Sequence, residues 1–176
     1  MSLFQQLIGE ELRFWFKDAL ILENYRPDWL GGMELDFYLP DFKLAIEVQG
    51  NQHYLWCPAM QQDVDDFKAQ RRRDSYKRKL ARQQGITIIC QKSFVGLQNK
   101  LRHCVKDKAF PNVPPELRKR MDAYRRLVHK KRNTEWPAFK VKGNGDVIPT
   151  NRVAAQYAKA QAKTNKQTST PSHNES

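Results

Sequence analysis

Residues 34–54 read ELDFYLPDFKLAIEVQGNQHY, and the way this stretch pairs with itself decides the fold. It contains two alternating segments, about 33–39 and 43–49, around Pro40-Asp41, where proline presets φ for a turn. Side chains alternate across a strand. Leu35, Phe37 and Leu39 therefore share one face, and Glu34, Asp36 and Tyr38 the other. In the second segment Leu44, Ile46 and Val48 oppose Lys43, Ala45, Glu47 and Gln49. The apolar faces must coincide, because a one-residue slip turns a whole face over. A two-residue loop then sets Asp36 opposite Ala45 and diagonal to Glu47, and a four-residue loop sets Asp36 directly opposite Glu47. Either way, Asp36, Glu47 and Gln49 converge on one face.

Directly opposed Cβ atoms lie about 4.5–5.5 Å apart. Two carboxylates that close repel one another, which destabilises the pair or raises one pKa. A divalent cation resolves the conflict, and hard oxygen ligands suit Mg²⁺, with Mn²⁺ as the alternative. An ordinary hairpin also turns polar residues to solvent, so the neighbouring sequence has to decide. Upstream, Phe4, Leu7, Ile8, Glu11, Leu12, Trp15 and Ala19 recur at helical spacing and predict a helix over 2–22, with an acid, Glu11, on its apolar stripe. Residues 20–26 predict a short strand stopped by Pro27. Downstream, 63–84 predicts a long helix closed by Gly85, and ITIIC at 86–90 a buried strand. A further helix is expected near 95–107. Pro115 opens another, with Leu117, Met121, Tyr124 and Val128 on one stripe. Residues 150–176, rich in Lys, Gln, Thr, Asn and Ser, read as a disordered tail.

Charge is unevenly placed in these 176 residues, whose net charge is +12. Residues 1–66 hold 12 acidic and four basic residues, whereas 67–176 hold seven acidic and 27 basic. Residues 67–84 alone carry eight basic residues against one acid, Asp74. An acidic half joined to a basic half suggests carboxylates gathered at a site and cations along a polyanion. Arg71, Arg72, Arg73 and Arg78 are candidate phosphate contacts. Three cysteines imply no disulfide framework. Their spacing with the histidines lacks two ligand pairs for zinc, and Cys90 reads as core. No apolar run is long enough to span a membrane. The N-terminus lacks a leader pattern, so a cytoplasmic setting is expected.

Asp36, followed after ten residues by Glu47-Val48-Gln49, resembles the signature of the PD-(D/E)xK nucleases, a strand-borne Asp and then Glu-x-Lys on the next strand. The fuller string, with Phe37, Pro40, Gly50, Gln52, His53, Asp74, Lys77 and Gly85, is similar to the small bacterial and phage endonucleases related to very-short-patch mismatch repair enzymes. The similarity covers about residues 5–92. It implies an α/β restriction-endonuclease-like core of helix, three-stranded meander, helix and strand over 1–110, with a basic helical extension over 111–149. It also implies Mg²⁺-dependent hydrolysis of DNA phosphodiester bonds. Asp36 and Glu47 would then be metal ligands, with the Val48 carbonyl, and Glu11 or Glu10 would match a helix-one acid. Gln49 stands where the signature has lysine. It can orient a water but carries no charge; Lys77 or His53 can take the role. A chain that has lost catalysis through Gln49 would instead be a nucleic-acid-binding module on the same fold. No dimer seam is legible, so monomer and homodimer both fit.

Overall fold

The computed structural model describes residues 1–50, 55–58 and 63–168. The chain is mixed α/β. Its main sheet has four strands, β1 (Leu22–Tyr25), β2 (Leu35–Leu39), β3 (Leu44–Val48) and β4 (Thr87–Gln91), in that spatial order. The first three form an antiparallel meander, and β4 joins β3 in parallel. A parallel return needs a crossover, and helix α2 (Val64–Gln83) supplies it.

The hairpin takes the longer of the two expected loops. Residues 40–43 separate the strands, and Phe37 pairs with Ile46, Tyr38 with Ala45 and Leu39 with Leu44. Pro40–Phe42 make a single 3₁₀ turn, and Lys43 leaves it in the left-handed region at φ 46°. Asp36 therefore stands directly opposite Glu47.

Two apolar layers cover the sheet. On one face, Phe37, Leu39, Leu44, Ile46 and Ile89 pack against helix α1 (Leu3–Trp15), helix α3 (Leu97–Cys104) and the first half of helix α4 (Pro115–Thr134). On the other, Ala45 packs with Ala81 of α2, Leu30 and Ile86. Strand β3, central and covered on both sides, is buried from Leu44 to Glu47. Leu35 departs from the expected alternation and joins the α2 side. The departure accompanies a left-handed Asn24 (φ 50°) in β1, beyond which Tyr25, the partner of Leu35, stacks on Tyr38.

Local chemistry sets the helix ends. Ser2 caps α1, its hydroxyl accepting from the Gln5 N–H at 3.1 Å, and Asp63 caps α2 by accepting from the N–H groups of Asp65 and Asp66, both at 2.8 Å. Gly85, at φ 70°, lets the chain reverse after α2, and the Ile86 N–H closes back on the Ala81 carbonyl at 2.9 Å. Helix α1 is shorter than the stripe predicts, because Phe16 leaves helical geometry and enters the core at 1% exposure.

The region beyond residue 110 differs from expectation in two ways. Phe110, Val113, Leu117 and Met121 belong to the same apolar layer as Leu7 and Phe37, so the start of α4 is part of the core and not an appendage. The expected disordered tail contains helix α5 (Arg152–Thr168), preceded by a hairpin of β5 (Phe139–Val141) and β6 (Val147–Pro149). Asn151 caps α5 at the Ala154 N–H (2.8 Å), Ala154 is fully buried, and Tyr157 meets Phe139 edge-on. A run of alanines supports this helix despite its polar composition. Strand β5 also ties down the segment after β3, through reciprocal bonds between Trp56 and Phe139 at 2.9 Å. Among the described residues, no helix is long and apolar enough to cross a membrane.

Candidate active site

The hairpin register brings two carboxylates to one point on the α2 face of the sheet. Asp36 Oδ2 accepts the Val48 N–H at 2.7 Å, and the Asp36 N–H reaches Glu47 Oε1 at a long 3.4 Å. In extended backbone a residue's carbonyl points to the same side as its N–H, so the Val48 carbonyl is turned toward Asp36 as well. The Gln49 N–H points the other way, donating to the Gln91 carbonyl at 2.9 Å.

Helix α2 presents Phe67, Gln70, Asp74, Lys77 and Ala81 to the sheet at three- and four-residue spacing, the less exposed row of an otherwise solvated helix. From that row the Lys77 ammonium donates to Glu47 Oε2 at 2.7 Å and to the Glu34 carbonyl. The side chains of this pair are 16% and 9% exposed. Burial pushes the Glu47 pKa up from 4.5 to about 7; Lys77 opposes the rise, and the neighbouring Asp36 adds to it. With both carboxyls ionised, one ammonium beside them leaves a net negative charge at this point. That unbalanced charge fits a divalent cation. Two carboxylates and one carbonyl make a sparse donor set, of the kind Mg²⁺ accepts while keeping several waters. Among the described residues, no three His, Cys, Asp or Glu side chains cluster as a larger ligand set.

The other expected residues divide. Gln49 is buried, 4% exposed, and strand alternation continues it on the Glu47 face. Glu11 is not brought to this cluster, which corrects its expected place among the metal ligands. Its stripe does face the sheet, but the face it meets carries Phe37 and Ile46, across the sheet from Glu47. Glu11 lines a small cavity of about 190 Å³ with Trp15, Arg118 and Met121. Burial pushes its pKa up to about 7, with Arg118 opposing, and its Oε2 has no hydrogen-bond partner among the described residues. The alternative, Glu10, is held by Arg120 of α4 in a two-point pair at 2.6 and 2.8 Å. His53 lies outside the described residues.

The four candidate arginines of α2, Arg71, Arg72, Arg73 and Arg78, are all exposed but do not form one patch. At 100° per residue, Arg71 and Arg78 share the flank beside the Lys77 row, Arg73 lies on the opposite flank and Arg72 points away. Arg78 lies near enough to the Cys90 thiol to act on it electrostatically. Cys90, expected in the core, is set by parallel pairing beside Glu47 on the α2 face. Burial pushes its thiol pKa up, and Arg78 opposes this. No sequence signal fixes that neighbour, because the register of β4 on β3 follows from the length and packing of the α2 crossover.

No family model matches the chain, and no solved structure matches it. Two viral proteins are similar to parts of it. Uncharacterized protein 307L of Invertebrate iridescent virus 6 is 35% identical over 57 residues, 32% of this chain and 29% of that protein. Uncharacterized protein 094L of Frog virus 3 (isolate Goorha) is 39% identical over 64 residues, 36% of this chain and 41% of that protein. The chain thus spans less than half the length of either curated relative.

Proposed function

We propose that this chain is a metal-dependent endonuclease that hydrolyses DNA phosphodiester bonds, built on a restriction-endonuclease-like core of the PD-(D/E)xK type. One observation carries the reading: Asp36 and Glu47 are set face to face by the hairpin, and a lysine from the next helix is bonded to Glu47. The meander, crossover helix and parallel strand supply the element order that the sequence resemblance implies.

In this reading Asp36, Glu47 and the Val48 carbonyl hold Mg²⁺ or Mn²⁺. When bound, such an ion activates a water and offsets charge on the phosphate. The chain's own residues do the rest. Val48 fixes the orientation of the Asp36 carboxylate through its N–H. Lys77 carries the positive charge that Gln49 lacks, and it approaches from α2 instead of from two residues along β3. Gln49, uncharged and buried, orients by hydrogen bonding. Arg71 and Arg78 flank the site on one side and Arg73 on the other, where they can neutralise backbone phosphates. The viral relatives make a virus-infected cell the setting we propose for this activity.

Gln49 also favours a second reading, a nucleic-acid-binding module that has lost catalysis. Supercoiled plasmid with Mg²⁺ separates the two. The native chain is expected to nick or linearise it. Asp36→Asn, which keeps an oxygen for the Val48 N–H, and Glu47→Gln should each abolish cutting while retaining binding. Tight binding by a native chain that never cuts would leave only the second reading, and cutting by Asp36→Asn at the native rate would misplace the site.

A further inference from the structure

The strongest feature outside the carboxylate cluster is a cleft of about 1040 Å³ on the opposite face of the sheet. It opens where β3 ends, at Val48 and Gly50, and its far wall is the second half of α4 with Trp136. The cause of the cleft is visible in α4. Leu117 and Met121 are buried against the core, but one turn later the same stripe reaches Tyr124, which is only half-buried and stacks on Phe4 (5.7 Å between centroids). Beyond Tyr124 the helix leaves the sheet, and the side it turns to the gap is strongly basic.

We propose that this cleft binds a single-stranded segment of nucleic acid running on from the strand held at Asp36 and Glu47. Three observations support a strand as the occupant. The first is charge: among the described residues, Lys92, Arg125, Arg126, Lys130 and Arg132 line the cleft against a single acid, Asp122, which is already bonded to Arg125 at 3.1 Å. The second is chemistry and size. Aromatic rings interleaved with cations stack bases and track a sugar–phosphate backbone. A space near 1,000 Å³, at the upper end of about 300–1,000 Å³ for small-ligand pockets, has room for a few nucleotides. The third is continuity. Val48 binds Asp36 through its N–H and lines the cleft with its side chain, so one residue separates the two sites. A strand crossing this edge has its scissile phosphate on one side and its unpaired bases on the other. The substrate class is then nucleic acid with an unpaired segment beside the cut phosphate: a free single strand, a fray, a branch, or the melted regions of a supercoiled plasmid.

The inference rests on the nuclease reading for the neighbouring site, and binding tests it separately from cutting. Glu47→Gln protein is titrated by fluorescence anisotropy with a labelled 12-nucleotide single strand, as DNA and as RNA, and with the blunt duplex of the same sequence. The single strand should bind at least about tenfold tighter than duplex. Trp136→Ala should weaken the single strand by about tenfold, the scale of one lost base stack, and leave duplex affinity unchanged. Arg126→Ala/Lys130→Ala alters only exposed positions, so its folding is secure. It should lower the salt slope for the single strand by about 1.4, two contacts at about 0.7 each. Equal affinity for duplex and single strand, or single-strand binding that neither variant changes, overturns the cleft. Plasmid cutting by the native chain would then still stand. Variant-sensitive single-strand binding without Asp36-dependent cutting keeps the cleft and sinks the nuclease. A DNA-over-RNA preference assigns the sugar, and the reverse preference moves the substrate to RNA within the same cleft.

Discussion

Replacing Lys77 with Met keeps the aliphatic stem and removes the ammonium, which makes it the sharpest probe of how the site holds its charge. Two contacts are lost, one to Glu47 Oε2 at 2.7 Å and one to the Glu34 carbonyl. The carbonyl contact does not depend on pH, and an acceptor left unpaired in a half-buried position costs about 1–2 kcal/mol. The Glu47 contact does depend on pH. Its pKa in the folded chain is raised from 4.5 to about 7 by burial. A raised carboxyl makes the folded state hold its proton more tightly than the unfolded state does. Stability from this group is therefore full below about pH 4.5 and is lost as pH climbs through about 7. Lys77 limits that rise. Loss of an opposite charge at this range is worth roughly 1–3 pKa units.

Taking about two units, the loss of stability in Lys77→Met continues to about pH 9. At pH 8 the variant should then be lower by about a further 1.4 kcal/mol, and at pH 5, where Glu47 is protonated in both proteins, by nothing further. The whole substitution should cost about 1–2 kcal/mol at pH 5 and about 2.5–3.5 kcal/mol at pH 8. Urea unfolding in EDTA at both pH values measures this, with Glu47→Gln and the double variant as controls. In the Glu47→Gln background the cost of Lys77→Met should lose its pH dependence. A cost that is equal at the two pH values, or larger at pH 5, would refute the coupling and with it Lys77 as the cation of the site.

Two further substitutions test the placement of other residues. Glu11→Gln removes a buried carboxyl whose pKa burial pushes up to about 7 and whose Oε2 is unpartnered. It should stabilise the chain by about 3 kcal/mol at pH 8 and by less than about 1 kcal/mol at pH 5, since the raised group costs stability only above its ordinary value; plasmid cutting should continue, and its loss would return Glu11 to the active site. Lys43→Gly relieves the left-handed residue of the hairpin loop, at φ 46° and ψ 45°. Relief of about 1–2 kcal/mol, less the added freedom of glycine when unfolded, should raise the unfolding free energy measured in urea by a net of about 0.5–1 kcal/mol; a lowered free energy would mean that this loop, and the opposition of Asp36 and Glu47, is drawn wrongly.

The parts of the fold written in short-range periodicity could be read from the sequence, and the parts fixed at long range could not. Alternation in 35–39 and 44–48 gave both strands and narrowed their pairing to two registers, but the choice between them belonged to Lys43. A lysine in the left-handed region is uncommon, so nothing in Pro40-Asp41-Phe42-Lys43 announces the longer loop. The stripe through Leu117, Met121, Tyr124 and Val128 predicted α4 correctly, yet said nothing about what the stripe would meet. Half of it packs on α1 and half stands over a cleft. Helix α5 is not legible in the sequence because a composition rich in Lys, Gln and Thr outweighs the alanines and the Asn151 cap, which act only once Tyr157 finds Phe139.

Glu11 and Lys77 show why the site itself was only half legible. Both lie on helices that flank the sheet, and both are polar residues in a row with apolar ones, so periodicity alone turns both inward. What separates them is which face of the sheet each helix covers, a property of the crossover and not of either helix. The meander places its charged edge, Asp36 and Glu47, on one face. The chain then crosses back over that face to reach a parallel β4, so α2 covers the carboxylates and α1 takes the apolar side. A lysine on α2 can reach Glu47, and an acid on α1 cannot reach it without passing through the sheet. In the proposed reading the cation that Gln49 lacks comes from α2, and the buried carboxyl of Glu11 must be accounted for on its own side, among Trp15, Arg118 and Met121.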